Sequence, residues 1–75
     1  MPLTPPQRRL LLWMAAGRAE PRTLAVIVEA TGVDEATIRA VERRGLIAGT
    51  MPDTWVTCHS GEVLAAEIQA ALADP

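Results

Sequence analysis

The sequence predicts a mainly helical domain with a small β-hairpin, in the order three helices, two strands and a final helix. Three observations predict it. Apolar residues recur at helical spacing up to residue 44 and again after residue 60. Between these regions, two short β-type runs flank a turn that contains Pro and Asp. Three of the five glycines stand where a predicted helix ends. At 75 residues, we expect one domain over residues 1–75.

The first helix has a clear start signal. Thr4 can cap it, Pro5 suits the first helical position, and Gln7 can complete a capping box with Thr4. We expect the helix to end at Ala16. Residues 10–15 are apolar on every side, so the helix must be buried on more than one side. Two interpretations stay open: the helix is wrapped by its own domain, or one side meets a second protomer.

The second and third helices are separated by a tight junction. The second is expected to start near Arg22 or Thr23 and to end at Gly32, which can adopt the left-handed conformation. Asp34 is the expected cap of the third helix, which ends at Gly45. Such a junction is typical of a helix-turn-helix. The residues predicted to face the core are Leu24, Ile27, Val28, Ile38 and Val41.

After residue 45 the apolar spacing changes. Residues 46–50 and 55–58 are predicted strands, and residues 51–54 form the turn between them. Ser60 is the predicted cap of the last helix. The apolar side of that helix carries Val63, Leu64, Ile68, Ala71 and Leu72.

Composition excludes several classes of protein. The lone Cys58 cannot form an internal disulfide. The longest apolar run, residues 10–16, is far short of the roughly 20 residues that span a bilayer. Prolines and arginines interrupt what would be the apolar part of a signal peptide. We therefore expect a cytoplasmic protein with no membrane partner.

Charge is unevenly distributed along the chain, although the net charge is only −2. Residues 1–22 hold four arginines and one glutamate, a net charge of +3, whereas residues 46–75 hold four acidic residues and no arginine. The chain thus has a basic front and an acidic back.

Catalysis and metal binding are not predicted. Cys58 and His59 form the single Cys–His combination in the sequence. Adjacent strand residues point to opposite faces, so these two side chains cannot come within hydrogen-bond reach as a nucleophile and its base must. A structural zinc site normally needs four ligands. No glycine-rich loop that cradles phosphate is present. We expect no enzyme, no metal and no cofactor.

Residues 24–47 carry a resemblance to a known family. There a helix ends at a glycine, a second helix follows, and Gly45-Leu46-Ile47 leads into the hairpin. This pattern resembles the winged helix-turn-helix superfamily, in particular small MarR-like or phage and bacterial transcriptional regulators, over residues 3–72. Gly61 stands one place later than in the family pattern. The resemblance implies a winged helix fold, a recognition helix at residues 34–44, and double-stranded DNA as partner.

Arginine dominates the predicted DNA-binding residues, because its planar fork suits guanine edges and phosphates. A step of 100° per residue puts one face of the recognition helix outward, with two residues flanking it. Two further arginines are placed to hold phosphates. The outward face carries Ala36, Arg39, Ala40 and Arg43, and it is flanked by Thr37 and Arg44. The two arginines placed to hold phosphates are Arg22 and Arg18.

Other observations favour a different function. Glu35 can pair with Arg39, so that arginine can belong to an ordinary solvent-exposed face. The hairpin, which would be the wing, carries Asp53 in its turn, whereas a minor-groove contact would need a cation there. Trp55 either packs on the domain's own helices, which we favour, or faces a partner. The first hypothesis is therefore a sequence-specific DNA-binding repressor or phage regulator. The alternative is a protein-binding adaptor or inhibitor that uses Trp13, Trp55 or the arginine face.

A homodimer accompanies the first hypothesis, because regulators of this kind read paired half-sites. We predict its interface on the first and last helices. The interface residues are Leu12, Trp13, Ile68 and Leu72.

Overall fold

The computed structural model of the chain describes residues 2–17, 20–50 and 53–73. Over these residues the protein is mainly helical, with four helices and one three-stranded antiparallel sheet of order β1-β3-β2. The elements are α1 (Pro5–Ala16), β1 (Arg22–Thr23), α2 (Leu24–Thr31), α3 (Glu35–Arg43), β2 (Ile47–Thr50), β3 (Thr54–Thr57) and α4 (His59–Ala73). None of the described helices is both long and apolar enough to cross a membrane.

Helix α1 lies at the centre of the fold. Its capping box is formed as predicted: the Gln7 amide donates to Thr4 Oγ1 at 3.3 Å, and the Thr4 amide donates to Gln7 Oε1 at 3.2 Å. The helix contacts α2, α3, α4 and β3, and this buries Leu10, Leu11 and Met14. The first interpretation, in which α1 is wrapped by its own domain, therefore accounts for most of the apolar surface of this helix.

Residues 22 and 23 are a correction to the sequence prediction. They form the short strand β1, in which Arg22 pairs with Trp55 and Thr23 with Thr54. Helix α2 begins only at Leu24, with the Thr23 hydroxyl accepting from the Val26 amide at 3.3 Å. A two-residue strand has no periodicity, so the sequence could not reveal it. The strand exists because β3 offers it a free edge.

The junction between α2 and α3 is confirmed. Helix α2 ends at Gly32, whose φ of 74° is left-handed. The buried Thr31 hydroxyl donates to the Ile27 carbonyl at 2.7 Å and accepts from the Val33 amide at 3.3 Å. These two hydrogen bonds satisfy the hydroxyl inside the junction. Asp34 caps α3 by accepting from the Thr37 amide at 2.9 Å.

The connection from β3 to α4 also differs from the prediction. Strand β3 ends at Thr57, so Cys58 lies outside it, although its amide donates to the Leu46 carbonyl at 3.0 Å. Helix α4 begins at His59, and Ser60 lies within its first turn. The Ser60 hydroxyl donates to the Gly45 carbonyl at 2.7 Å. Ser60 is therefore not the cap of α4, and its hydroxyl binds the end of α3 instead.

Gly61 is the contact point between α4 and the start of the hairpin. It is buried, and a Cβ at this position would overlap the Leu46 carbonyl oxygen and lie 3.1 Å from Thr57 Cγ2. The overlap involves backbone, which cannot rotate away. Glycine is therefore needed at position 61, because the backbone of α4 comes close to the backbone of Leu46 there.

The core is one cluster that draws on every helix and on both longer strands. Helix α4 contributes least, since only Gly61 and Ala65 of its fifteen residues are buried. In its outer half, residues 66–73, every residue except the half-buried Ile68 is exposed. The domain measures 41 × 22 × 21 Å. The core residues are Leu10, Leu11, Met14, Ile27, Val33, Ile38, Val41, Leu46, Ile47, Trp55 and Ala65.

We predict that Gly61→Ala destabilises the protein. By helix propensity alone, alanine in place of glycine would stabilise the protein by about 1 kcal/mol. The overlap with the Leu46 carbonyl reverses this sign, and overpacking of this kind costs about 1–3 kcal/mol. Urea unfolding followed by circular dichroism measures the difference. The exposed Gln69→Ala on the same helix is the control and should change the free energy of unfolding by less than about 0.5 kcal/mol. A more stable Gly61→Ala protein would contradict the contact.

Candidate functional site

The outward face of α3 is the candidate site. Ala36 and Arg43 are exposed, as the spacing argument predicted, whereas Ala40 is half-buried. Ile38 and Val41 on the opposite side are fully buried and hold the helix in place. The face is thus a shallow surface of small side chains with one long cation at its end.

The two flanking residues have structural contacts of their own. The Thr37 hydroxyl donates to Asp34 Oδ1 at 2.8 Å, so it takes part in the cap of α3. Arg44 Nη2 donates to the Pro2 carbonyl at 3.2 Å, which ties the N-terminal segment to the end of α3. Both side chains therefore help to hold this edge of the helix together.

Arg39 is held in a network that joins α3 to the hairpin. Its Nε and Nη2 lie 2.9 and 2.8 Å from Glu35 Oε2, and its Nη1 lies 3.9 Å from Glu42 Oε1. The guanidinium also lies 5.8 Å from the centroid of the Trp55 ring, which is within cation–π range. The surface ion pair with Glu35 that the spacing suggested is therefore formed, and the Arg39 side chain still remains 53% exposed.

Trp55 and Gly49 complete this network from the hairpin. Trp55 is only 3% exposed, and its indole Nε1 donates to Glu42 Oε1 at 3.2 Å. The prediction that Trp55 packs within its own domain is confirmed. Gly49 lies opposite Trp55 on β2, where a Cβ would come within 2.8 Å of Glu42 Oε2. The hairpin therefore rests directly against α3.

The cleft beside this network does not suit an anion. It has a volume of about 270 Å³, and the described residues that line it supply two carboxylates, those of Glu42 and Asp53, and one guanidinium, that of Arg39. The hydroxyls of Thr50 and Thr54 hydrogen-bond to each other across the strands. Sequence reasoning missed Glu42 and Gly49, although Glu42 follows Arg39 by three residues, a spacing at which helical side chains meet.

Arg22 is folded back onto the domain. Its guanidinium lies 5.5 Å from the centroid of the Trp13 ring and 3.5 Å from Glu20 Oε2, and its side chain is 29% exposed. It also covers Gly17, where a Cβ would overlap the guanidinium. Arg22 is thus partly neutralised within the domain. Arg18, its predicted companion, lies outside the described residues.

The predicted dimer residues fall into two groups. Leu12 and Trp13 are half-buried against the core, and Trp13 lies beneath Arg22. Ile68 is half-buried, whereas Leu72 is 69% exposed. Ile68 and Leu72 line an open groove of about 480 Å³ between α4 and the N-terminal segment. The structure therefore brings the α4 pair together on one surface, apart from the α1 pair.

Cys58 and His59 lie where β3 meets α4. His59 is exposed at the first position of α4, and Cys58 before it is half-buried. Within residues 2–17, 20–50 and 53–73, no group of three or more His, Cys, Asp or Glu side chains is arranged to hold a metal ion. Among the described residues, the buried Thr57 hydroxyl has no hydrogen-bond partner.

Comparison with known proteins adds no relative: no family model, no curated protein and no solved structure matches this chain significantly.

We predict that the Asp34 cap makes stability depend on pH. The Thr37 amide, and then the Thr37 hydroxyl, donate to the Asp34 carboxylate and hold its pKa below the ordinary value of 3.8. A lowered pKa in the folded state contributes stability above the unfolded pKa and loses it as the pH falls through the folded value. Asp34→Asn keeps a cap acceptor but cannot titrate.

The test is urea unfolding of wild type and Asp34→Asn from about pH 7 to about pH 2. The stability advantage of the wild type should shrink as the pH falls below 3.8, the ordinary value for this carboxyl. A difference that stays constant over this range would show that the charge of Asp34 does not support the helix.

Proposed function

We propose that this chain is a winged helix-turn-helix domain that binds double-stranded DNA as a sequence-specific regulator, such as a transcriptional repressor or a phage regulatory protein. The order α1-β1-α2-α3-β2-β3-α4 and the sheet order β1-β3-β2 support this fold. The short junction at Gly32 and the hairpin resting on α3 support it further. In this arrangement α3 is the recognition helix and the β2–β3 hairpin is the wing.

The observation that carries the proposal is the outward face of α3. Ala36 and Ala40 leave the middle of the face low, so the helix backbone can come close to base edges in a groove about 12 Å wide. Arg43 extends from the end of this face, is exposed, and makes no hydrogen bond or ion pair with the rest of the described chain. Its guanidinium can therefore donate two hydrogen bonds to a guanine without giving up an existing contact.

The other predicted contacts are weaker. Arg39 would have to leave Glu35 and Glu42 in order to reach a base. Arg22 would have to leave Trp13 and Glu20 in order to reach a phosphate. We therefore assign base recognition chiefly to Arg43.

One observation favours the alternative function, a winged-helix module that binds a protein. In a helix-turn-helix, the helix before the recognition helix crosses the phosphate backbone. Here that helix, α2, exposes Val26 and Val28, and its single charged residue is Glu29. A surface that is apolar and slightly acidic repels phosphates and suits an apolar protein partner.

The proposed regulator acts in the cytoplasm as a homodimer, so that two α3 helices read half-sites about one helical turn apart. Its affinity for DNA should be modest, because few arginines are available to release counterions from the phosphates. Non-specific binding should therefore fade at physiological salt.

We predict that Arg43→Ala weakens binding to the preferred duplex by about 1–3 kcal/mol and relaxes specificity at one base position. Arg39→Ala should cost less, because Glu35 and Glu42 already neutralise that guanidinium. Asp53→Ala is the matched control on the wing, and it should be neutral or slightly strengthen binding because it removes an anion near the phosphates. Fluorescence titrations with labelled duplexes at two salt concentrations measure all three.

The preferred duplex comes from selection of genomic DNA fragments with the purified protein at moderate salt. A recurrent sequence motif is the expected result. Failure to enrich any motif, or wild-type binding by the Arg43→Ala protein, would exclude recognition by α3 and favour the protein-binding module.

A further inference from the structure

The groove beside α4 has an apolar floor and a basic rim. Leu3 forms one wall, and Leu64, Ile68 and Leu72 form the other. Arg8 and Arg44 also line it. The groove is open along its length and has a volume of about 480 Å³, so its shape suits an extended apolar surface such as one side of a helix.

The apolar stripe of α4 continues past the point where the domain covers it. Ala65 and Leu72 are seven residues apart, which is close to two helical turns, so both face the same way. Ala65 is buried by the body of the domain, whereas Leu72 is 69% exposed. Leu72 is thus a large apolar side chain placed for burial, with no covering group in the described chain.

Charge indicates what covers this surface. The two charged residues in the described part of α4, Glu62 and Glu67, are both acidic. Glu67 lies one turn before Ala71, which lines the groove, so Glu67 stands at the edge of the groove. Arg8, on the rim, forms no ion pair with any residue in the described ranges. Within the described part of one copy, Arg8 on the groove rim and Glu67 on α4 therefore do not neutralise each other.

We propose that this groove binds the outer half of α4 from a second copy of the chain, in an antiparallel pair that places Glu67 of each copy opposite Arg8 of the other. The proposal deepens the homodimer of the proposed function and rests on that part of it. It moves the interface away from Leu12 and Trp13, which pack on the core and beneath Arg22.

An antiparallel arrangement fits the order of side chains along α4. Ile68 lies midway between Leu64 and Leu72, so a two-fold axis at Ile68 puts Leu72 of each copy beside Leu64 of the other. The segment from Leu64 to Leu72 is about 12 Å long at 1.5 Å per residue. In a two-fold pair the contact between Arg8 and Glu67 occurs twice, so it contributes twice to the stability of the dimer. The basic front of one chain then meets the acidic back of the other, as the charge distribution along the sequence favours.

The test is a charge reversal with its compensating partner, measured by sedimentation equilibrium of the full chain without DNA at micromolar concentration. Wild type should sediment at twice the chain mass of 8.0 kDa. Arg8→Glu alone and Glu67→Arg alone should each raise the dimer dissociation constant by about tenfold or more, because each puts like charges together at two places. The double variant should return to within about threefold of wild type.

The chain offers matched controls. Arg9→Glu makes the same charge change at the next position of α1, and Glu62→Arg makes it on α4, and neither residue lines the groove. Both should leave the dissociation constant within about threefold of wild type. Circular dichroism of every variant separates a lost dimer from a lost fold, because a folded monomer keeps its helical signal.

Three results of the sedimentation experiment would overturn the proposal. These are a wild-type protein that remains at 8.0 kDa throughout, a double variant as weak as the single ones, and controls that weaken the dimer equally. A monomer that binds an acidic amphipathic peptide would also overturn it, since the groove would then serve a different protein. A stable dimer that selects no DNA motif would contradict only the proposed function. A monomer that does select one would contradict the homodimer and its paired α4 helices, but not DNA recognition by α3.

Discussion

The burial of α1 is the constraint on which the rest of the structure depends. A chain of 75 residues has little interior, and residues 10–15 are apolar on all sides. Such a helix is stable in water only if several elements cover it at once. Helices α2, α3 and α4 and strand β3 each take one sector, and Leu10 and Leu11 become fully buried. The arrangement of these elements follows from this shared central helix, and β1 and β2 are placed by their pairing with β3.

The ends of the elements are held by a few polar contacts that each join two parts of the chain. Ser60 on α4 binds the carbonyl of Gly45, and Arg44 binds the carbonyl of Pro2. Glu42 accepts from the indole of Trp55, so the position of the hairpin is tied to α3. These contacts keep a small domain in one arrangement where apolar packing alone is not directional.

The same network limits how the proposed site can act. Arg39 and Trp55 serve the contact between α3 and the hairpin, and Arg22 serves the contact with Trp13. A guanidinium that already has carboxylate partners gains less from a phosphate or a base, because it must give those partners up. Arg43 is therefore the most available cation on the outward face of α3. The domain thus uses much of its small supply of arginine for stability.

The helices, their order and much of the core could be predicted from the amino-acid pattern. Val28 and Val63 were predicted on apolar faces, but both are exposed. Thr4 and Asp34 cap helices as predicted, and Gly32 ends one, because these signals act between residues that are close in the chain. The spacing of Ile38 and Val41 also predicted which side of α3 is outward.

Four features are visible only in the tertiary structure: the strand β1, the hydrogen bond of Ser60, the need for Gly61 and the contact of Arg39 with Trp55. Strand β1 forms only because β3 lies beside residues 22 and 23. Gly61 is required only because α4 meets the carbonyl of Leu46, and Arg39 meets Trp55 only because the hairpin folds onto α3. Each of these depends on two segments far apart in the chain. Local patterns cannot record such contacts, since the physical cause lies in the other segment.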